Sequence, residues 1–210
     1  MQISKAKENI LKKIRQALSN PVPVPFPQSE GNDSVFQPRE QEPEVEFAEN
    51  FSKLQGRFSF CLDRKEAVQQ LQSLITTRKW TKIYCREEQL KNDLQQAGLN
   101  IQYTTDLYSC DASITTCEKL IARTGTIVMT SAQQSGRTVS VYAPVHICIA
   151  YTSQLVYDIK DALSGVKEMH TKLPSLITLA SGPSRTADIE KTLVVGVHGP
   201  KEVFCLMIEG

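Results

Sequence analysis

No C-x-x-C pair occurs among the six cysteines, Cys61, Cys85, Cys110, Cys117, Cys148 and Cys205. Iron–sulfur and structural zinc sites usually draw two ligands from one tight loop, so this spacing argues against either in this chain. No apolar run approaches the roughly 18 residues of a membrane span. The first residues lack the apolar stretch and small-residue cleavage site of a secretory signal. A formal net charge of +1 gives no global attraction for nucleic acid or for an anionic membrane. Neither a P-loop nor a dinucleotide-type glycine loop is present, and no serine–histidine–acid order is visible. The expectations are a cytoplasmic chain with reduced, mostly buried thiols, no metal, and no nucleic-acid or membrane partner.

What is present divides the 210 residues into three parts. Residues 1–19 carry Ile3, Ala6, Ile10, Leu11, Ile14, Ala17 and Leu18 at helical spacing, with lysines on the other faces. This predicts an amphipathic helix ended by Asn20-Pro21. Residues 20–50 hold six of the ten prolines and a marked acidic excess, which reads as an extended arm. From residue 51 to 210 helical and strand patterns alternate, predicting an α/β domain with a mixed, mostly parallel sheet.

Within that domain helices are predicted over Arg64–Trp80, Glu87–Ala97, Thr115–Ala122 and Gln154–Met169. Strands are predicted over Lys82–Cys85, Asn100–Tyr103, Thr124–Ser131, Arg137–Pro144, Val145–Tyr151, Ser175–Gly182 and Glu202–Glu209.

Chemistry-bearing residues concentrate in SGPSRTADIEKTLVVGVHGP, Ser181 to Pro200. Ligands of open α/β sheets bind beyond the carboxyl ends of strands, and SGPSRT follows such a strand. Gly182 permits a tight bend. Ser184 or Thr186 would cap a short helix starting near Ala187, and Arg185 adds a planar cation suited to a carboxylate or phosphate. Together they describe an anion-binding corner; the alternative is that Arg185 pairs internally with Asp188 or Glu190. Asp188 and Glu190, two residues apart, suit a shared catalytic task poorly. His198, between glycines and beside Gly199, is either an acid–base group or a histidine held in a tight turn. His146 fits a satisfied core or edge position better than a ligand role.

These residues also carry a resemblance. The blocks G-P-S-R-T-A-D-I-E (Gly182 to Glu190) and G-V-H-G-P (Gly196 to Pro200) resemble the lactate-utilisation protein C family, or LUD domain. A second block, IARTGTIVM (Ile121 to Met129), then Gly136-Arg137, then APVHICIA (Ala143 to Ala150), matches as well. Arg123 departs from the pattern, standing where the family usually has an acidic residue. The resemblance implies a three-layer α/β/α fold like those of ribose-5-phosphate isomerase, glucosamine-6-phosphate deaminase and the CoA-transferases. It implies a cluster-free component of an iron–sulfur system oxidising L-lactate to pyruvate, with the clusters on partner proteins. Residues expected at an anion-binding pocket are Thr124, Gly125, Thr126, Arg137, Gly182, Ser184, Arg185, Thr186 and Gly199, with His198, Asp188 and Glu190 as candidates for catalysis. Two other functions stand beside this one: a free-standing enzyme on a phosphorylated or CoA-linked molecule, and a non-catalytic assembly module.

Overall fold

The structure, a computed structural model, describes residues 5–19, 38–39, 41–187 and 193–210. The chain divides into two units, Met1–Pro38 and Arg39–Gly210. The first contains helix α1 (Lys5–Ser19), as the apolar spacing predicts. The second contains everything that follows.

In chain order that unit runs α2 (Pro43–Lys53), β1 (Arg57–Cys61), α3 (Arg64–Arg78), β2 (Ile83–Cys85), α4 (Glu88–Gln96), β3 (Ala112–Thr115) and β4 (Lys119–Ile121). It continues through β5 (Thr126–Thr130), α5 (Val139–Tyr142), β6 (Val145–Tyr151), β7 (Leu155–Val156), α6 (Ile159–Met169), β8 (Ile177–Ala180), β9 (Arg185–Ala187), β10 (Leu193–Val195) and β11 (Glu202–Ile208). The central sheet has the order β1-β11-β6-β3-β2, and every pair in it is parallel. The α/β class with a mainly parallel sheet is as expected. The mixed pairing resides in a second sheet, β7-β4-β5-β8, with β4–β7 parallel and β4–β5 and β5–β8 antiparallel.

Strand β11 shows why the layers stack this way. Phe204, Leu206 and Ile208 join a core with Ala67, Val68 and Leu71 of α3 and Leu90 and Leu94 of α4. Val203, Cys205 and Met207 point oppositely and meet Phe47 and Phe51 of α2 with Leu120, Ile127 and Met129 of the second sheet. A strand apolar at every position is one covered on both faces. The outer face of the second sheet is closed by α6, whose Ala162 and Val166 pack on Ile121 and Val128. Local chemistry sets the ends: Asp63 caps α3 by accepting from the Glu66 N–H at 2.8 Å, and Glu66 Oε2 accepts from the Leu62 N–H at 2.8 Å, just before the cap.

Several expectations need correction. The α/β unit begins before residue 51, because Phe47 and Phe51, four apart on α2, are both fully buried and stacked with ring centroids 5.4 Å apart. Proline and acid around them hid a helix whose buried face is two rings wide. Thr115–Ala122 is not helix: Thr115 ends β3 and Lys119–Ile121 forms β4, with Leu120 and Ile121 buried in different clusters on opposite faces of the second sheet. Arg137–Pro144 is not a strand but a loop and the short helix α5, anchored by Val139, whose carbonyl accepts from the buried Ser113 hydroxyl at 2.9 Å. Asn100–Tyr103 makes only an isolated bridge from Tyr103 to Ile83. The helix of Gln154–Met169 starts at Ile159, after β7. Arg185–Ala187 is strand, pairing antiparallel with Leu193–Val195, and the rest of the short helix expected near Ala187 lies outside the described residues.

Candidate functional site

The motif blocks converge where β8 ends and β6 and β11 begin. A cleft of about 300 Å³ is lined there by His146, Ser181, Gly182, Ser184, His198 and Gly199, among others. Among the described residues no acidic side chain is part of its lining. His198 and Gly199 also line an adjoining cavity of about 390 Å³, shared with Tyr142 and Lys201. His198 is exposed, so its imidazole is free to meet a solute arriving from either side.

The two C-terminal loops are joined by their backbones. The Ser184 N–H donates to the Pro200 carbonyl at 2.9 Å, and the Gly196 N–H donates to the Ser184 carbonyl at 2.9 Å. A Cβ at Gly199 would stand 2.8 Å from Ser184 Cβ, so this contact requires glycine. The Ser184 amide is therefore spent inside the protein and is not held free for an anion. Arg185 also points elsewhere: it is exposed, and its guanidinium donates to the Leu54 carbonyl. The same carbonyl is approached by Gly182, at φ +87°, where a Cβ would sit 2.4 Å from the oxygen. Arg185 and Gly182 thus clamp the turn after α2. Thr186 lies in β9 opposite Val194. Asp188 and Glu190 lie outside the described residues.

The threonine–glycine–threonine block does mainly structural work. Gly125 has φ +56°, and a Cβ on it would fall 2.3 Å from the Phe51 nitrogen; α2 rests directly on this backbone. Asn50 completes the contact by donating to the Ala122 and Arg123 carbonyls at 3.2 and 3.1 Å. The Thr126 hydroxyl reaches Thr124 Oγ1 at 2.7 Å and Ser181 Oγ at 2.6 Å. This hydroxyl chain ties β5 to the cleft through Ser181. Arg137 is exposed and donates to Ser175 Oγ at 2.5 Å, outside the cleft. Arg123 turns to the cap of α6, 2.8 and 3.3 Å from the two carboxylate oxygens of Asp158. Its hydrogen bonds hold that carboxyl below its ordinary range.

His146 sits in the wall of the cleft at 1% exposure. Burial pushes its imidazole down from 6.5 to about 4, so the ring is neutral at neutral pH. Its Nε2 is 2.8 Å from Thr115 Oγ1. The core-histidine expectation agrees with this burial, although the ring also contributes to the cleft. All six cysteines are free and buried. Among the described residues no group of three or more histidine, cysteine or acidic side chains is placed to hold a metal ion. None of the described helices is long and apolar enough to cross a membrane.

The LUD domain family model matches residues 45–208. The chain belongs to the LUD domain family. It is 40% identical over 98 residues to an uncharacterized protein of Neisseria meningitidis, covering 47% of this chain and 42% of that one. It is 39% identical over 105 residues to lactate utilization protein C of Halalkalibacterium halodurans, covering 47% and 44%. The matched stretch thus spans less than half the length of these relatives. A solved DUF162 family protein from Deinococcus radiodurans superposes with a TM-score of 0.58 at 17% identity, over 80% of this chain and 96% of that one; this likeness concerns the fold. Of the motif residues, His146, Gly182, Ser184, His198 and Gly199 meet at this cleft, and Thr126 reaches it through Ser181.

Proposed function

We propose that this LUD domain chain works in lactate utilisation, as the cluster-free component of an iron–sulfur system oxidising L-lactate to pyruvate, and that its cleft holds a small organic anion. The observation that carries the reading is the chemistry of the cleft wall. Serine hydroxyls and the His198 imidazole surround about 300 Å³ with no acidic side chain among the described residues, and Lys201 stands in the adjoining cavity. Hydroxyl and imidazole donors suit a carboxylate, and the volume is at the small end of ligand sites. His198 would orient the carboxylate from the exposed rim, and Ser181, also exposed and fixed by Thr126, would donate beside it. The names of the relatives support the lactate assignment, and the iron–sulfur clusters belong on partner proteins.

Two measurements test it. Tagged protein purified from its own host under anaerobic conditions should retain cluster-bearing proteins, visible as iron–sulfur absorbance, and deleting the gene should abolish growth on L-lactate. Isothermal titration should detect lactate or pyruvate binding that falls tenfold or more in His198→Ala. Full growth of the deletion strain on lactate would sink the pathway assignment. A sugar phosphate binding where lactate and pyruvate do not would replace the ligand.

A further inference from the structure

The parallel sheet offers a second place for a ligand, at its other end. β2 leaves its carboxyl end into α4, whose Leu90 and Leu94 pack with Ile83, Cys85 and Ile114 on one face. The neighbouring β3 leaves into Cys117 and β4, which pack with Cys148 and Cys205 on the opposite face. Where adjacent parallel strands send their chains to opposite faces, a crevice opens between their carboxyl ends, and α/β proteins bind ligands in such crevices. Glu87 lies just past the end of β2 and Thr116 just past the end of β3.

Glu87 is 7% exposed. One carboxylate oxygen, Oε2, accepts from the Thr116 N–H at 3.0 Å and from the Thr116 hydroxyl at 2.6 Å. The other, Oε1, is buried with no hydrogen-bond partner among the described residues. Buried carboxylate oxygens are normally satisfied, and an exception asks for a donor. Several nearby donors are engaged. Both Thr116 donors go to Oε2, and Gln133 Nε2 donates to the Thr116 hydroxyl at 3.2 Å. Arg64 is 3.7 Å from Asp93 and lies over the Tyr151 ring at 5.5 Å. Lys91 is 2.7 Å from Glu88.

A cavity of about 310 Å³ opens beside this carboxylate, lined by Glu87, Leu90, Asp93, Thr116, Gln134 and Tyr151, among others. Among the described residues its lining holds two carboxylates and no cationic side chain, with Arg64 set against Asp93 and Tyr151 at its edge. That is the reverse of the motif-lined cleft, which holds histidines and, among the described residues, no acid. The two lie at opposite ends of β6, since His146 is its second residue and Tyr151 its last, about 16 Å apart along the strand. We infer that the crevice between the carboxyl ends of β2 and β3 binds a small primary amine, its ammonium group received by Glu87 and its apolar body lying on Leu90 and Tyr151. Asp93 of the same lining is already paired with Arg64, which leaves Glu87 as the carboxylate that receives the ammonium. This site stands independently of the lactate reading.

The test is a titration of the ¹⁵N-labelled full chain with n-butylammonium, with ribitol and inorganic phosphate run in parallel. The expected result is a saturable shift of the Thr116 amide resonance with n-butylammonium alone. Glu87→Gln, which keeps an acceptor for Thr116, should weaken it tenfold or more, and His198→Ala should leave it unchanged. The wild-type titration decides the matter even if Glu87→Gln does not fold. A Thr116 resonance unmoved by n-butylammonium overturns the site, as does an equal shift in folded Glu87→Gln. A response to ribitol or phosphate in place of the amine overturns the ligand class.

Discussion

His146 Nε2 and Thr115 Oγ1 lie 2.8 Å apart on neighbouring strands of the parallel sheet, with the imidazole almost fully buried. A ring in that position is accommodated only in its neutral form, because burial without a counter-charge penalises the cation.

The pH dependence of stability follows. The imidazole is lowered from 6.5 to about 4 in the folded chain, so between those values the unfolded chain takes up a proton that the folded one refuses. The stabilisation is complete above pH 6.5 and declines as pH falls toward 4, by roughly 3 kcal/mol from this residue. His146→Gln keeps a hydrogen-bonding end for Thr115 and removes the titration. Urea melts at pH 7 and pH 4.5 should show a distinctly smaller difference in the variant; an unchanged difference would remove His146 from the account.

Gly125 is where the second sheet meets α2. Gly125→Ala asks for an L-residue at φ +56° and puts a Cβ 2.3 Å from the Phe51 nitrogen. Backbone strain and displacement of the stacked Phe47–Phe51 pair should together cost about 3 kcal/mol. Calorimetry should show Tm lower by roughly 10 °C, whereas Gly98→Ala, where no atom lies within 4 Å of the added Cβ, should cost less.

Arg123→Glu would place a carboxylate against Asp158, the cap of α6. Losing a partly exposed pair and adding repulsion should cost about 1 kcal/mol. The loss should shrink below pH 4 as the carboxylates protonate, which chemical melts across pH will read. A variant as stable as the parent at pH 7 would show that the ion pair does not support the cap.

Burial pushes the Cys61 and Cys110 thiols up to about 11 and the Cys85 thiol up to about 12. Thiolate is the reactive form. Native protein at pH 8 should therefore react with Ellman's reagent at least a hundredfold more slowly than after unfolding in guanidinium, where all six react. Rapid native labelling of any of these three would contradict the packing.

Much of the fold was legible in single elements. The apolar runs of β6 and β11 reflect burial on both faces, and the periodicity of Arg64–Arg78 reflects one buried stripe and a capped end. The failures share a cause. In TTCEKLIA the spacing of Cys117, Leu120 and Ile121 imitates a helix. A strand sandwiched between two cores produces the same spacing, because adjacent residues face different layers. The alternation in TVSVY imitates a strand, though only Val139 is fully buried there. The cleft was legible as a set of motif residues and not as a geometry. Arg185 finds its partner in Leu54, 131 positions away, and nothing local announces that. Glu87 passed unnoticed because one glutamate ahead of a helix looks like ordinary capping chemistry. The only signal was its place after an apolar strand.

Composition and periodicity by themselves determined the α/β class, the buried thiols and the residues where chemistry gathers, since these depend on side-chain type and on spacing along one element. Tertiary structure decided which of those residues meet, which backbone amides are spent and which carboxylate keeps an oxygen unpaired. Such pairings join segments tens of residues apart, and only packing brings them within the reach of a hydrogen bond.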